Sequence, residues 1–318
     1  MFRSTKTVLV TAALLAATLP ALGQSRIERE FDLAPGGELV LDADQGSVEV
    51  QGSGSSGARV VISSRSLDIE DKFDVSMSLS GGRLSIRVDR KGSGKWFNWG
   101  RGGGLKFEIQ VPRDTRVDID TSGGSIVAED LDQPARLDTS GGSIVARQIR
   151  GSLLADTSGG SIVAEEIDGD VTADTSGGSI SIEQVRGDVV ADTSGGSITI
   201  SEVTGKSTAD TSGGSITLDE IGGYVYADTS GGSIEINFSA NNYAGGEAST
   251  SGGGIRVNID PTANLDLDAV ASGGSVIANV PITVRGKVSK SSLKGKIGGG
   301  GALLKLRTSG GKIRIEPR

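Results

Sequence analysis

A seven-residue phrase, Asp-Thr-Ser-Gly-Gly-Ser-Ile, occurs seven times without change, beginning at Asp120, Asp138, Asp156, Asp174, Asp192, Asp210 and Asp228, so that successive copies stand 18 residues apart. A unit this short cannot enclose a core of its own; it becomes stable only by stacking on its neighbours, which makes the chain a quasi-one-dimensional array. The side-chain pattern inside the repeat says what kind of array. Aligned copies place Ile126, Ile144, Ile162, Ile180, Ile198, Ile216 and Ile234 in one column, and two residues later Ala128, Ala146, Ala164, Ile182, Ile200, Leu218 and Ile236. Leu131, Ile149, Ile167, Val185, Val203 and Ile221 form a third apolar column, and Leu153, Val171, Val189 and Val225, each followed two residues on by Ala, form a further pair. Apolar positions two apart are the period of a strand with one buried face, and polar residues fill the positions between them. Each repeat therefore reads as two short strands joined by two turns, one at Gly-Gly and one at a second glycine (Gly151, Gly169, Gly187, Gly205, Gly223). The expected fold is all-β, a β-solenoid of stacked coils with about 18 residues per coil. Roughly fifteen coils at ~4.8 Å would give a rod on the order of 70 Å long.

Glycine supplies 50 of the 318 residues, and the chain has no cysteine and no histidine. Such glycine content would suit a disordered chain, but the aligned aliphatic columns predict an ordered, narrow core. Without His or Cys there is no Ser-His-Asp triad, thiolate nucleophile, or His or Cys metal ligand. Carboxylate pairs alone can run glycosidase chemistry, yet seven coils without an insertion offer no loops from which to build a cleft. The expectation is a non-enzyme with no cofactor.

Residues 1–23 read as a signal peptide: Arg3 and Lys6 precede an apolar run, Val8 to Leu19, and Ala21-Leu22-Gly23 offers small residues for cleavage. Cleavage near Gly23 would leave an extracytoplasmic chain, periplasmic or secreted. It would also take the formal charge from −8 to −10 by removing those two cations. No later stretch is apolar enough to span a bilayer as a helix.

Residues 24–115 carry the same alternation less regularly. Leu39, Leu41 and Ala43 precede a turn at Gln45-Gly46, and Phe73, Val75, Met77 and Leu79 run into Gly81-Gly82, from which Leu84, Ile86 and Val88 emerge. This segment is expected to be an N-terminal cap with the first coils, residues 116–236 the regular coils, and residues 237–318 irregular C-terminal coils with a basic cap. Within the first segment, the glycine-rich loop 91–104 holds both tryptophans, Trp96 and Trp99, with Phe97, Lys95 and Arg101. Exposed aromatics beside cations suit a binding tip; the same rings could instead cover the end of the rod as a lid. From Ile282 to Arg318 there are ten basic residues and one acidic, Glu316, either a patch for an anionic polymer or a solvated cap that keeps terminal edges from pairing.

The aspartates of the phrase also need an account, because in a parallel stack identical residues lie above one another and like charges repel. Asp120, Asp138, Asp156, Asp174, Asp192, Asp210 and Asp228 would either bind divalent cations through oxygen or accept hydrogen bonds from the N–H groups of their own turns.

The stretch Leu105 to Ile126, a strand ending in Val-Pro, a short link, an alternating strand and a Thr-Ser-Gly-Gly turn, resembles a bacterial family of exported β-solenoid domains labelled as candidate adhesins or domains of unknown function. The Gly298–Gly301 run leading to Leu304, Leu306 and Thr308-Ser-Gly-Gly is similar to the way such domains end. The resemblance implies a single-stranded β-helix (β-solenoid), right-handed, and brings no catalytic motif. The export signal, the uninterrupted coils and the aromatic loop point to a repetitive surface for binding or adhesion at the bacterial cell envelope, with an envelope glycan or protein as partner and, for an exported chain, no nucleic acid. A structural spacer of the envelope is the alternative reading and a polysaccharide-acting enzyme the weaker one. The oligomeric state, monomer or end-to-end, is left open.

Overall fold

The computed structural model describes residues 25–65, 68–92, 104–239, 244–284 and 289–318. These residues are almost entirely β-structure, arranged as two long sheets of 14 and 15 strands. The one helix among them is a four-residue turn, Ile69–Lys72, started by the Asp68 carboxylate, which accepts hydrogen bonds from the N–H groups of Glu70 and Asp71. In the repetitive region one strand of each repeat joins one sheet and the next strand joins the other. Ile144 pairs with Ile126 on one side and Ile162 on the other, and Asp138 pairs with Asp120 and Asp156, all in parallel register. The narrow space between the sheets holds the aliphatic columns: Ile162, Ala164, Ile167, Val171 and Ala173 are all essentially buried. Spacing of ~4.8 Å between strands gives an elongated stack about 65 Å long.

The phrase can now be read residue by residue. Its Thr side chain points inward: Thr139, Thr157, Thr175, Thr211 and Thr229 are at most 1% exposed. The Thr157 hydroxyl donates to the carbonyl oxygen of Gly142 in the preceding turn (2.7 Å) and accepts from the N–H of Gly160 in its own turn (3.3 Å). The same pair of bonds recurs at Thr139, Thr175, Thr193, Thr211 and Thr229. A buried hydroxyl is thus satisfied while two turn groups find partners. The second Ser joins adjacent turns as well, its Oγ accepting from the N–H of the Ser one coil on, as Ser143 does from Ser161 (3.2 Å).

The two glycines are not equivalent. A Cβ at Gly178 would overlap the carbonyl oxygen of Gly160 in the turn beneath, whereas one at Gly177 would stand 3.5 Å from its nearest neighbour, in ordinary contact. Close stacking of successive turns therefore requires only the second glycine.

At both ends the order of coils in space departs from their order in the chain. The coil made of Glu38–Ala43 and Ser47–Ser53 lies between the coil of Arg116–Thr121 and Ile126–Leu131 on its inner side and the later strands Arg83–Arg90 and Lys106–Pro112 on its outer side. Beyond those, Ser25–Phe31, Ala58–Ser64 and Phe73–Ser80 pair antiparallel. The expected hairpin at Gly81-Gly82 is among these pairs, both glycines having positive φ.

At the far end the final copy, Thr308-Ser-Gly-Gly, does not lie outermost. Its strands Ala302–Thr308 and Ile313–Pro317 slot between the coil of Gly246–Thr250 and Ile255–Ile259 and that of Leu265–Ala271 and Val276–Ala278. The antiparallel strands Ser292–Ile297 and Ile282–Val284 then cover the exposed edge of one sheet. Three of the four sheet edges therefore end in antiparallel strands and the fourth in the three-residue strand Val276–Ala278; edges that are short or depart from the parallel pattern are poorer templates for further stacking.

Candidate functional site

Thr, the second Gly, the second Ser and Ile of the phrase are consumed by stacking, which leaves Asp, the charged member, facing outward together with the first Ser. The parallel pairing sets the seven aspartates in one straight column and adds an eighth, since Asp42 pairs with Asp120. Asp42 was not evident from the sequence because its turn reads Ala-Asp-Gln-Gly, with Ala43 at the place of Thr. Arginines bracket the column: Arg87 pairs with Asp42 at one end, and at the other Ser249 is followed by Arg307.

The hydrogen bonds expected between these aspartates and their own turns are made by the threonines instead, as the bonds of Thr157 and its equivalents show. The carboxylates thus carry their charge with little support from the backbone. Burial, and after it the neighbouring carboxylates, push Asp138, Asp174, Asp192 and Asp210 above the ordinary carboxylate value. The cation alternative meets a geometric obstacle: among the described residues no three acidic groups converge on a point that could hold a metal ion. A ladder presents its oxygens in a line, not around a centre.

Beside the aspartates, on the same face, runs a column of different character: Asp118, Arg136, Leu154, Thr172, Val190, Thr208 and Tyr226. Leu154, Val190 and Tyr226 are each 37% exposed. Identical residues in one outward column next to freely varying residues in another distinguish the aspartates from the surface around them.

A second feature lies at a corner of the other sheet. There Asp130, Gln148, Glu166, Gln184, Glu202 and Glu220 form a stacked bulge, all with φ between 53° and 62°. The strand pairings step over this position, joining Arg147 to Glu165 and then Ile149 to Ile167. The sequence carries a signal for it: the apolar columns are two apart from Ile162 to Ala164 but three apart from Ala164 to Ile167. Five residues of the bulge column (Asp130, Gln148, Glu166, Gln184, Glu202) and the next outward column (Asp132, Arg150, Asp168, Arg186, Thr204) line an open groove of about 610 Å³.

The basic C-terminal run is largely used inside the fold. Lys294 and Arg307 both reach Asp268 (2.9 and 3.0 Å), Lys296 lies 3.7 Å from Asp266, Lys305 is 2.6 Å from Glu247, and Arg318 pairs with Glu220. Burial would raise the Asp268 carboxyl, but hydrogen bonds from Lys294 and Arg307 outweigh it and hold the group below its ordinary value. Arg285 and Lys287 lie outside the described residues, as do residues 1–23 and Lys95, Trp96, Phe97, Trp99 and Arg101. Among the described residues no helix is long and apolar enough to cross a membrane.

Two sheets of stacked short strands, one repeating turn and a surface of straight residue columns define an all-β repeat protein of elongated, solenoid-like architecture. The chain belongs to the Toastrack DUF4097 family, whose profile matches residues 37–316. Among solved structures, one of a candidate adhesin from Bacteroides fragilis is 11% identical, with 92% of this chain and 97% of that one covered and a TM-score of 0.38. A candidate cell adhesion protein from Clostridium sporogenes is 11% identical over 92% of this chain and 100% of its own (TM-score 0.26). A candidate lipid-binding protein from Parabacteroides distasonis is 12% identical over 92% and 97% (TM-score 0.29). No curated protein matches the chain.

Proposed function

We propose that this chain is an exported, non-enzymatic β-solenoid, a right-handed single-stranded β-helix of 18-residue coils, that presents a repetitive surface for binding or adhesion at the bacterial cell envelope. On this reading residues 1–23 are a signal peptide, residues 24–115 and 237–318 close the two ends of the shaft, and the partner is an envelope glycan or protein. The observation that carries the reading is the aspartate column. Its residues repel one another and are not consumed by the stacking bonds, yet they are identical in seven successive coils while the adjacent outward column changes at every step. Duplication of a coil would preserve both columns alike; retention of one against an electrostatic cost points to a surface that is used. Trp96, Phe97 and Trp99, with Lys95 and Arg101, are proposed as a second contact.

The test compares the purified chain with a variant carrying Asn at positions 138, 156, 174 and 192 for binding to fractionated envelope material. The expected result is binding of at least one fraction that drops tenfold or more in the variant, while the melting temperature stays level or rises. Equal binding by the two proteins would remove the aspartates from the contact surface. Binding to no fraction would leave the spacer reading in its place.

A further inference from the structure

We propose that the groove along the bulged corner is a binding site for an extended, uncharged polyhydroxylated chain, that is, a linear glycan lying along the axis of the stack with successive sugar rings meeting successive coils. The proposal concerns a different sheet from the aspartate column and does not depend on it.

The starting observation is the choice of residue. Positive φ is the conformation glycine adopts without strain, and the chain uses glycine at positive φ at Gly36, Gly46, Gly57, Gly81, Gly82 and elsewhere. At the bulge it does the opposite, placing Asp, Gln, Glu, Gln, Glu and Glu at φ of 62°, 55°, 58°, 59°, 54° and 53°. Asp is tolerated in this region better than most side chains, but Gln and Glu have no particular aptitude for it and hold it at a cost in backbone strain. Strain repeated at Gln148, Glu166, Gln184, Glu202 and Glu220 in a glycine-rich chain indicates that the side chains themselves are needed there.

Their arrangement indicates for what. Gln148, Glu166, Gln184 and Glu202 are exposed. The Gln148 amide donates to Glu166 (3.1 Å) and that of Gln184 to Glu202 (3.2 Å), so each glutamine spends one N–H and retains a second donor and an acceptor oxygen. In the adjoining column the charges cancel locally, Arg150 lying 2.9 Å from Asp132 and Arg186 4.0 Å from Asp168. One end of the groove closes on Arg113, which pairs with Asp130. Five coils at ~4.8 Å spacing give a site about 19 Å long.

A surface that alternates donors and acceptors, pairs its own cations and repeats at coil spacing matches a partner whose every unit offers hydroxyls able both to donate and to accept. A phosphate polymer would meet Glu166 and Glu202 with like charge. An extended peptide binds by adding to a free strand edge, whereas the groove runs across the strands, whose flanking residues are already paired from coil to coil. Individually weak contacts to successive rings sum along a stiff, extended ligand.

The experiment measures binding of the purified chain to dimers, tetramers and hexamers of β-1,4-linked glucose and of β-1,4-linked N-acetylglucosamine by calorimetry and ligand-observed NMR. The expected result is that at least one series binds with affinity increasing from dimer to hexamer. The double variant Glu166→Gly, Gln184→Gly places relaxed glycines at two central positions, so its melting temperature should hold while hexamer affinity drops tenfold or more. Failure of every hexamer to bind, affinity independent of length, or undiminished binding by the glycine variant would each overturn the proposal.

Discussion

The middle and the ends of this molecule are built from the same strands but by different rules. In the middle, each coil pairs with the coil 18 residues before it and the one 18 residues after, through one repeated set of bonds. At the ends, strands distant in sequence are interleaved: Gly246–Thr250 pairs with Ala302–Thr308, and Glu38–Ala43 with both Arg83–Arg90 and Arg116–Thr121. The middle is extensible because every interface in it is the same. The ends are closures, each made once and held by long-range pairing.

The sharpest way to break that comparison is by deletion. Removal of one whole period, residues 157–174, joins equivalent positions and should leave a folded chain one coil shorter, with a melting temperature close to the parent's. Removal of residues 302–318, of nearly the same length, takes out the strands wedged between two other coils and should abolish soluble folded protein, read by circular dichroism and yield. Similar behaviour of the two deletions would contradict the division into extensible middle and closed ends.

A smaller effect separates the two glycines of one turn. Gly178→Ala drives a methyl into the Gly160 carbonyl of the neighbouring coil and should lower stability by ~3 kcal/mol or more, in the range of strong overpacking. Gly177→Ala meets its nearest atom at 3.5 Å and should change stability by less than ~1 kcal/mol. Chemical denaturation of both variants decides the matter.

The smallest effect concerns charge. Asp174 and Asp192 have carboxyls raised by burial and by their neighbours, so between the ordinary value and the raised one the folded chain binds more protons than the unfolded chain. Stability from these groups therefore falls as pH rises through that window and is lowest where they are fully ionised. Asp174→Asn with Asp192→Asn should raise stability at neutral pH, by about 0.2–1 kcal/mol for each like-charged neighbour relieved. The gain should shrink as the pH is lowered through the raised range. Thermal melts of parent and variant across pH 3–8 would show it; a gain that grew on acidification would refute the account.

Much of the middle was legible in the sequence because its determinants are local. The columns of Ile and Ala declare which side chains face inward, and the unvarying Gly-Gly marks where the chain turns. The interleaved ends were not legible for the same reason: Thr308-Ser-Gly-Gly has all the features of a coil that can stack, but nothing in it says which coil it will stack upon. The role of Asp was half visible. Its column followed from the spacing, whereas the assignment of the turn hydrogen bonds to Thr required knowing that the hydroxyl points inward toward the Gly carbonyl beneath. The bulge corner left a trace, the interval of three between Ala164 and Ile167, which a search for strict alternation passes over.

The bonds made by threonine have a further consequence. Each hydroxyl donates to the turn of the preceding coil and never to the following one, so every coil brings its own attachment and needs from its predecessor only a glycine carbonyl in the right place. An added coil therefore creates an interface that the protein already possesses, and its own glycine offers the same acceptor to the next. Such a chain can change length during evolution by whole repeats, in steps of ~4.8 Å, without inventing a contact. Its reach is then a heritable quantity set by counting, adjustable independently of the end structures and of whatever its surface columns recognise.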